Sequence, residues 1–215
     1  MAISTIVFDF GNVVAWFSHR KSAEQLAVYG TASAASIAAY LFGGKLEDDF
    51  EAGRIDGKAL SGMVRETFHL HCTDEQFTQA FVDMFRANDE VCDLLPRLKP
   101  RYRLVLLSNT NELHARHFLE KFHQQLAPFD AIVLSYKVGL RKPDARVYEY
   151  CRQQGGSPPA CECLFIDDLP ANVEGARACG WQGIVYRQGE DLTTLLADLG
   201  VTVDPAASRF ARSKP

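Results

Sequence analysis

The sequence predicts an α/β fold: a Rossmann-like, doubly wound parallel sheet with a small helical bundle inserted after its first strand. Short apolar runs alternate with helical patterns from residue 88 onward, which is typical of parallel strands joined by right-handed crossovers. Residues 16–87 instead show apolar spacing typical of helices, with no clear strand pattern. The chain has 215 residues, 47% of them apolar, and is long enough for one sheet core and one inserted unit.

The first strand leads to the residue around which we predict the site. Residues 6–8 (Ile-Val-Phe) form a continuous apolar run, as expected for a parallel strand buried on both faces, and Asp9 follows directly. The Gly11–Asn12 pair then ends the strand, because both residue types tolerate unusual backbone conformations. Asp9 is therefore expected at the carboxyl end of a central strand, where open α/β sheets bind ligands.

The inserted block is predicted to be helical. Ala, Leu and Phe recur at helical spacing, and Thr73 and Gln76 have the spacing of a capping box that begins the last helix of the block. The acidic segment 45–52 carries no predicted helix and leads into a Gly-rich turn at 53–57. The predicted helices of the block are 23–29, 34–42, 58–68 and 73–85.

Strands and helices then alternate. We predict a core of residues 1–15 and 88–203, with 16–87 inserted between them. Residues 204–215 lack periodicity and are predicted to be a loose tail. The predicted strands are 103–107, 131–134, 163–166 and 183–186, and the predicted helices are 90–98, 112–123, 144–153, 172–178 and 192–199.

Four strand ends offer polar groups to one edge of this sheet, because the carboxyl ends of parallel strands face the same side. Several carboxylates at one edge would repel one another unless a cation lay among them, and Mg²⁺ prefers such oxygen ligands together with a substrate phosphate. A lysine adds a positive charge for a phosphoryl oxygen. These groups are Asp9 after the first strand, Ser108 and Asn109 after the second, Lys142 beyond the third, and Asp167, Asp168 and Asn172 after the fourth.

Four segments in this order carry a family resemblance. They are 8–14 (Phe-Asp-Phe-Gly-Asn-Val-Val), 107–110 (Leu-Ser-Asn-Thr), 141–143 (Arg-Lys-Pro), and 166–168 (Ile-Asp-Asp) with Asn172. On these motifs the sequence resembles the haloacid dehalogenase-like (HAD) hydrolase superfamily over nearly its whole length. Within it, the motifs are most similar to the branch of bacterial α-D-glucose-1-phosphatases and epoxide-hydrolase phosphatase domains. The inserted helices resemble the cap of that family.

The resemblance implies a catalytic and metal-binding set. Asp9 would be the nucleophile and a Mg²⁺ ligand, and Gly11 would give its backbone carbonyl to the same ion. Asp168 would bind Mg²⁺, with Asp167 beside it as a further ligand or as a support. Lys142 would offset the charge on Asp9 and on the transferring phosphoryl group.

The resemblance also implies a phosphate-binding set. Ser108 would bond the phosphoryl group, together with Asn109 and the turn at Gly11 and Asn12. Asn172 stands where an acid is often found, and would orient a metal-bound water or the lysine. Apart from the resemblance, Arg20 follows the nucleophile turn and Arg54 lies in a turn of the inserted block, and we expect one or the other to select the substrate by reaching a sugar hydroxyl or a second phosphate.

One position departs from the family pattern. Most phosphatases of the superfamily carry a second aspartate two residues after the nucleophile, which protonates the leaving group. Here that position is Gly11, and general acid–base help is typically worth about 10²–10⁴-fold. We therefore expect slow turnover of alkyl phosphates, with a smaller loss for sugar 1-phosphates, aryl phosphates and acyl phosphates. Asn12 or a residue of the cap would have to substitute.

The sequence thus predicts a Mg²⁺-dependent phosphatase that acts on a small phosphorylated metabolite, such as a sugar phosphate, through an aspartyl-phosphate. Two alternatives stay open: a metal-independent haloacid dehalogenase, which the acidic pair 167–168 disfavours, and a weakly active protein that binds a phosphorylated ligand or a partner.

Net charge, apolar runs and cysteine content indicate which partners and which location to expect. The net charge of −4 gives no indication of nucleic-acid or anionic-membrane binding, and no apolar run approaches the ~18 residues of a membrane helix. Six cysteines without metal or redox spacing, and no basic signal region, lead us to expect a cytoplasmic protein. No oligomeric state is predicted.

Overall fold

The computed structural model describes residues 2–205 and confirms the α/β fold. Within those residues the strands are β1 Thr5–Phe8, β2 Ala15–Phe17, β3 Phe85–Ala87, β4 Arg103–Ser108, β5 Ala131–Leu134, β6 Cys163–Asp167 and β7 Gln182–Val185. Five of them form a parallel sheet in the order β5-β4-β1-β6-β7. The first strand therefore lies at the centre, and the chain proceeds outward from it on both sides, as in a doubly wound sheet.

Helices connect these strands and form the inserted block. In the described chain the α-helices are α1 His19–Ala27, α2 Ala34–Leu41, α3 Lys45–Glu51, α4 Gly57–Phe68, α5 Asp74–Val82, α6 Asp89–Leu98, α7 Glu112–Lys121, α8 His123–Leu126, α9 Ser135–Val138, α10 Ala145–Gln154, α11 Pro170–Ala178 and α12 Leu192–Asp198. None of them is long and apolar enough to cross a membrane.

The central strand is covered on both faces. Ile6 and Phe8 belong to a core that they share with apolar residues of α6, α7 and α12. Val7 points to the opposite face and belongs to a second core with Tyr148 of α10 and Ala176 of α11. All four residues of β1 are buried, which explains why its sequence is a nearly continuous apolar run.

Strand register aligns the functional edge. Phe8 pairs with Leu106 of β4 and with Ile166 of β6. The residues that follow these three therefore emerge at the same edge of the sheet, Asp9 in the middle and Asp167 beside it. This alignment of neighbouring strand ends is what assembles the site described below.

The helices α1–α5 enclose an apolar core of their own. Its members include Leu26, Ile37, Leu60 and Phe77, which are at most 1% exposed, and Leu113 of α7 joins it from the sheet side. The predicted capping box at the start of α5 is present, with both of its reciprocal hydrogen bonds.

The structure of residues 16–87 contains two features that the sequence did not predict. No strand was expected, but β2 and β3 pair as an antiparallel ribbon where the chain enters and leaves the helical block. Strands of three residues are too short to show a period of two in the sequence. The acidic segment 45–52 is also helical, because α3 buries Phe50 while its charged side chains stay more exposed. The last helix of the block ends at Val82, since the following residues form the ribbon.

The C-terminal segment is described only in part. Of the predicted tail 204–215, residues 206–215 lie outside the described chain. Asp204 accepts hydrogen bonds from Arg101 at its carboxylate (2.5 Å) and from Arg97 at its carbonyl oxygen (2.7 Å). The beginning of the predicted tail is therefore bonded to α6 and the turn after it.

Candidate active site

A buried lysine lies between two aspartates at the carboxyl edge of the sheet. Lys142 Nζ is 2.7 Å from Asp9 Oδ1 and 2.7 Å from Asp167 Oδ2, and it also donates to the carbonyl of Leu107. Its side chain is 1% exposed. Burial opposes the charge of this ammonium, but the two carboxylates outweigh that effect and raise the pKa of Lys142. The lysine is therefore a fixed cation beside Asp9.

Both carboxylate oxygens of Asp167 accept hydrogen bonds, from Lys142 and from two further groups. Asn172 Nδ2 donates to both of its carboxylate oxygens, at 3.0 and 3.1 Å, and the backbone N–H of Leu169 donates to one of them at 2.8 Å. The carboxylate is wholly buried. Of the two predicted roles of Asp167, the supporting one fits this geometry better. Asn172 therefore positions Lys142 indirectly, by holding the Asp167 carboxylate.

Asn109 fixes the backbone of the lysine. Its amide oxygen accepts from the N–H of Lys142 at 2.8 Å, and its amide nitrogen donates to the carbonyl of Lys142 at 3.0 Å. The amide is thus used for positioning, although we had predicted a phosphate contact for it. Ser108 is buried beside it, and within the described chain its hydroxyl makes only a long 3.4 Å bond to the Asn109 carbonyl. That hydroxyl is therefore the group of this turn that can best bond an incoming oxygen.

Three carboxylates converge on one point. One oxygen each from Asp9, Asp167 and Asp168 lies within 4.8 Å of the other two. Burial raises the pKa of Asp9, Lys142 opposes this, and the charge of Asp167 adds to it. Burial likewise raises the pKa of Asp168. One ammonium does not balance three acids, and hard oxygen donors of this kind suit Mg²⁺.

The turn after Asp9 has two specialised residues. Asn12 has a left-handed backbone (φ 54°), and its side chain donates to Asp168 Oδ2 at 2.9 Å, so it orients a carboxylate of the acidic group. Gly11 leaves room for an aromatic ring: a Cβ there would lie 2.8 Å from Cε1 of Phe17. The space that a side chain would need at position 11 is therefore filled.

The helical block forms the opposite wall of the site. A cavity of about 310 Å³ is lined by Asp9, Lys142 and Asp168 on the sheet side, and by His19, Glu47 and Glu51 on the other. A smaller recess of about 50 Å³ adjoins it, where Ser108 and Gly11 meet the aromatic residues Phe10, Phe17 and Phe85. The substrate-binding side of the site is thus acidic and aromatic.

The arginines predicted for substrate selection lie elsewhere. Arg20 is on the exposed surface of α1 beside Glu24. Arg54 donates to Asp49 at 2.7 Å and is more than half exposed. Neither lines the cavity. Among the described residues, the arginine that lines the cavity is Arg141, a residue of the third motif for which no role was predicted.

Arg141 ties the block to the core. It donates twice to Glu51 Oε2, from Nε at 2.9 Å and from Nη2 at 2.7 Å, and it also pairs with Asp48. The hydroxyl of Ser135 donates to the backbone carbonyl of Glu51 at 2.6 Å. Position 53 is a glycine with φ 68°, and a Cβ there would lie 2.4 Å from the carbonyl oxygen of Tyr136. The end of α3 is therefore pressed against the core.

The sequence gives only a weak indication of these wall residues. Glu47 and Glu51 belong to the acidic segment 45–52, to which no element was assigned. The one available signal was the glycine at position 53, since a glycine two residues after an acid can bring that acid close to another backbone.

Comparison with known proteins identifies the family. The model of a hydrolase family described as haloacid dehalogenase-like hydrolase matches residues 3–180. The chain belongs to this family. The family and the hydrolase class that we predicted from the motifs are thereby confirmed.

Relatives of this HAD-like hydrolase include named phosphatases. D-ribitol-5-phosphate phosphatase of Bacteroides thetaiotaomicron is 25% identical over 195 residues, covering 88% of the chain and 94% of the relative. Phosphatase MT3486 of Mycobacterium tuberculosis is 27% identical, covering 93% and 94% respectively. Among solved structures, the HAD family enzyme bt-2542 of B. thetaiotaomicron, in complex with magnesium and inorganic phosphate, superposes with a TM-score of 0.78. It is 25% identical, with 90% and 99% of the two chains covered.

Proposed function

We propose that this HAD-like hydrolase is a Mg²⁺-dependent phosphatase in which Asp9 takes the phosphoryl group and water then removes it. The observation that carries the proposal is the Asp9 carboxylate, held 2.7 Å from the Lys142 ammonium within a group of three acids. A carboxylate can serve as a covalent nucleophile toward phosphorus. The named phosphatases among the relatives, and the magnesium–phosphate complex of bt-2542, support the same reaction class.

Mg²⁺ fits the donor set. We assign it to one carboxylate oxygen of Asp9, the backbone carbonyl of Gly11 and the carboxylate of Asp168, which Asn12 orients. Asp167 remains the partner of the lysine, since its oxygens are already bonded. When bound, the ion supplies Lewis-acid charge that lets an anionic phosphate approach an anionic nucleophile.

Side chains of the protein supply the nucleophile and stabilise the transferring phosphoryl group. Asp9 attacks phosphorus with its carboxylate oxygen. Lys142 stabilises the negative charge of the phosphoryl oxygens as a preorganised cation that needs no rearrangement. Ser108 donates its hydroxyl to another of those oxygens. Asn109 holds the backbone of Lys142, and Asp167 holds its ammonium group.

We propose that residues 16–87 act as the cap and that the substrate is a sugar or polyol phosphate. The wall of the cavity contributed by this block carries Glu47, Glu51 and His19, which suit the hydroxyl groups of a neutral leaving group. The two cations among the described lining residues, Arg141 and Lys142, are both paired with carboxylates. A second phosphate would therefore find no unpaired cation there, and the name of the ribitol-phosphate relative agrees with this preference.

The test is a phosphate-release assay over sugar phosphates, polyol phosphates, nucleotides and acyl phosphates, with Mg²⁺ and with a chelator. Wild-type protein should release phosphate only with Mg²⁺. Asp9→Asn should abolish release, whereas Asp93→Asn, on the exposed surface of α6, should retain it. Release by Asp9→Asn at the wild-type rate would refute the proposed mechanism.

The same assay separates the alternatives. Removal of halide from a 2-haloacid that persists in chelator would indicate a dehalogenase. Stabilisation by Mg²⁺ and a phosphate ester, measured as a rise in melting temperature, without turnover of any ester would indicate a binding protein.

A further inference from the structure

The site has no acid at position 11, two residues after Asp9, where most phosphatases of the superfamily carry an aspartate. Gly11 has no side chain, and the Phe17 ring fills the adjoining space. Asn12 is bonded to Asp168, so it cannot protonate a leaving group in place of an acid. An alkyl phosphate needs a proton at its leaving oxygen, and the donor must come from elsewhere in the cavity.

Three titratable side chains of the helical block line the same cavity as Asp9: His19, Glu47 and Glu51. His19 is stacked on Phe42 at 3.9 Å between ring centroids, and burial lowers its pKa to about 4, so it is neutral and a poor acid. Burial raises the pKa of Glu47, but neither of its carboxylate oxygens is free: Oε2 accepts the backbone N–H of Gly43 at 2.7 Å, and Oε1 is 3.8 Å from His19 Nε2.

The two carboxylate oxygens of Glu51 have different surroundings. Both Arg141 bonds go to Oε2, while Oε1 has no hydrogen-bond partner among the described residues. The side chain is 14% exposed and lines both the main cavity and the recess beside Ser108. Its backbone is fixed by Ser135 and by the close approach at Gly53. The carboxyl group is therefore held in one place, with one oxygen free.

We infer that Glu51, supplied by the helical block, is the proton donor that replaces the acid missing at position 11. As the Asp9 oxygen bonds to phosphorus, the bond from phosphorus to the leaving oxygen breaks, and that oxygen takes the proton of Glu51. Water then attacks the aspartyl-phosphate, its proton returns to Glu51, and Asp9 is released as a carboxylate with inorganic phosphate. This inference rests on the proposed phosphatase function.

The surroundings of Glu51 are consistent with this role. Burial raises its pKa to about 7, which the charge of Glu47 reinforces and Arg141 and Lys142 oppose. An acid with a pKa near the working pH is the most effective proton donor.

The experiment compares two leaving groups. The kcat/KM value reports the steps up to release of the leaving group, and it is measured with 4-nitrophenyl phosphate and with the alkyl phosphate that wild type hydrolyses fastest. Glu51→Gln should lower the alkyl value by about 10²-fold or more and leave the aryl value within a few-fold, because nitrophenolate needs no proton. Asp48→Asn, which removes the other partner of Arg141, should leave the alkyl-to-aryl ratio unchanged.

The pH dependence is a second readout. Glu51 donates only when protonated, so the alkyl kcat/KM should fall as pH rises through about 7, and this limb should vanish in Glu51→Gln. Equal losses for both substrates, or no loss, would overturn the inference, as would a wild type that hydrolyses the aryl ester and no alkyl ester. A wild type that hydrolyses neither would instead refute the proposed function. Melting curves of Glu51→Gln would detect misfolding.

Discussion

The close contact between Gly11 and Phe17 makes a measurable prediction. Gly11→Ala would place a methyl group 2.8 Å from Cε1 and 3.2 Å from Cδ1 of the same ring. The ring cannot withdraw freely, because it contacts His19 and Phe85, with centroids 4.8 and 6.3 Å away. Overpacking of this kind costs about 1–3 kcal/mol. For a chain of this size, a loss of about 2 kcal/mol lowers the melting temperature by roughly 4–8 °C.

The assay is a double-mutant cycle in thermal melts. Gly11→Ala, Phe17→Leu and the double variant are compared with wild type, and the two changes should show a favourable coupling of about 0.5–2 kcal/mol because the shorter side chain removes the clash. Gly62→Ala is the matched control: it lies within α4, and nothing is within 4 Å of its added methyl group. That change should stabilise the protein by about 0.5–1 kcal/mol.

A Gly11→Ala variant that melts like wild type would refute the reasoning, as would a loss that Phe17→Leu does not relieve. The prediction matters for function because it explains why the usual aspartate cannot simply be restored. Gly11→Asp should meet the same ring and should not raise activity on alkyl phosphates.

Three further predictions concern the groups around the nucleophile. Lys142→Ala leaves two buried carboxylates without their cation, which should cost about 3–5 kcal/mol in chemical denaturation and abolish phosphate release; an unchanged denaturation midpoint would contradict this. Asn109→Ala removes both bonds to the lysine backbone, so kcat should fall while Mg²⁺ affinity, measured by calorimetry, stays unchanged; a large loss of Mg²⁺ affinity would instead place the amide at the metal. Gly53→Ala forces an alanine into a left-handed conformation against a backbone oxygen, which should lower the melting temperature and raise KM; wild-type values of both would show that this contact does not hold the helical block.

Much of the fold could be predicted because local patterns in the sequence indicate its strands and helices. The buried run at 6–8 identifies a central strand, and the alternation after residue 88 identifies the crossovers. Asp9, Lys142 and Asp168 could be grouped because parallel strands bring their carboxyl ends to one edge.

The remainder depends on contacts between distant segments. No local pattern shows that the Asn109 amide bonds the backbone of residue 142, since this requires two loops 33 residues apart to meet. The same is true of the pairing of Glu51 with Arg141, 90 residues apart. The three-residue strands of the ribbon were missed because each is formed by its partner rather than by its own sequence.

The central claim is that Asp9 carries the phosphoryl group. The most direct measurement adds borohydride during turnover with Mg²⁺ and analyses the peptide containing residue 9 by mass spectrometry. An aspartyl-phosphate is reduced to homoserine, so we predict that conversion at Asp9 in wild type, at no other aspartate, and not when substrate is omitted. Continued phosphate release with an unmodified Asp9, or conversion at another carboxylate, would contradict the account.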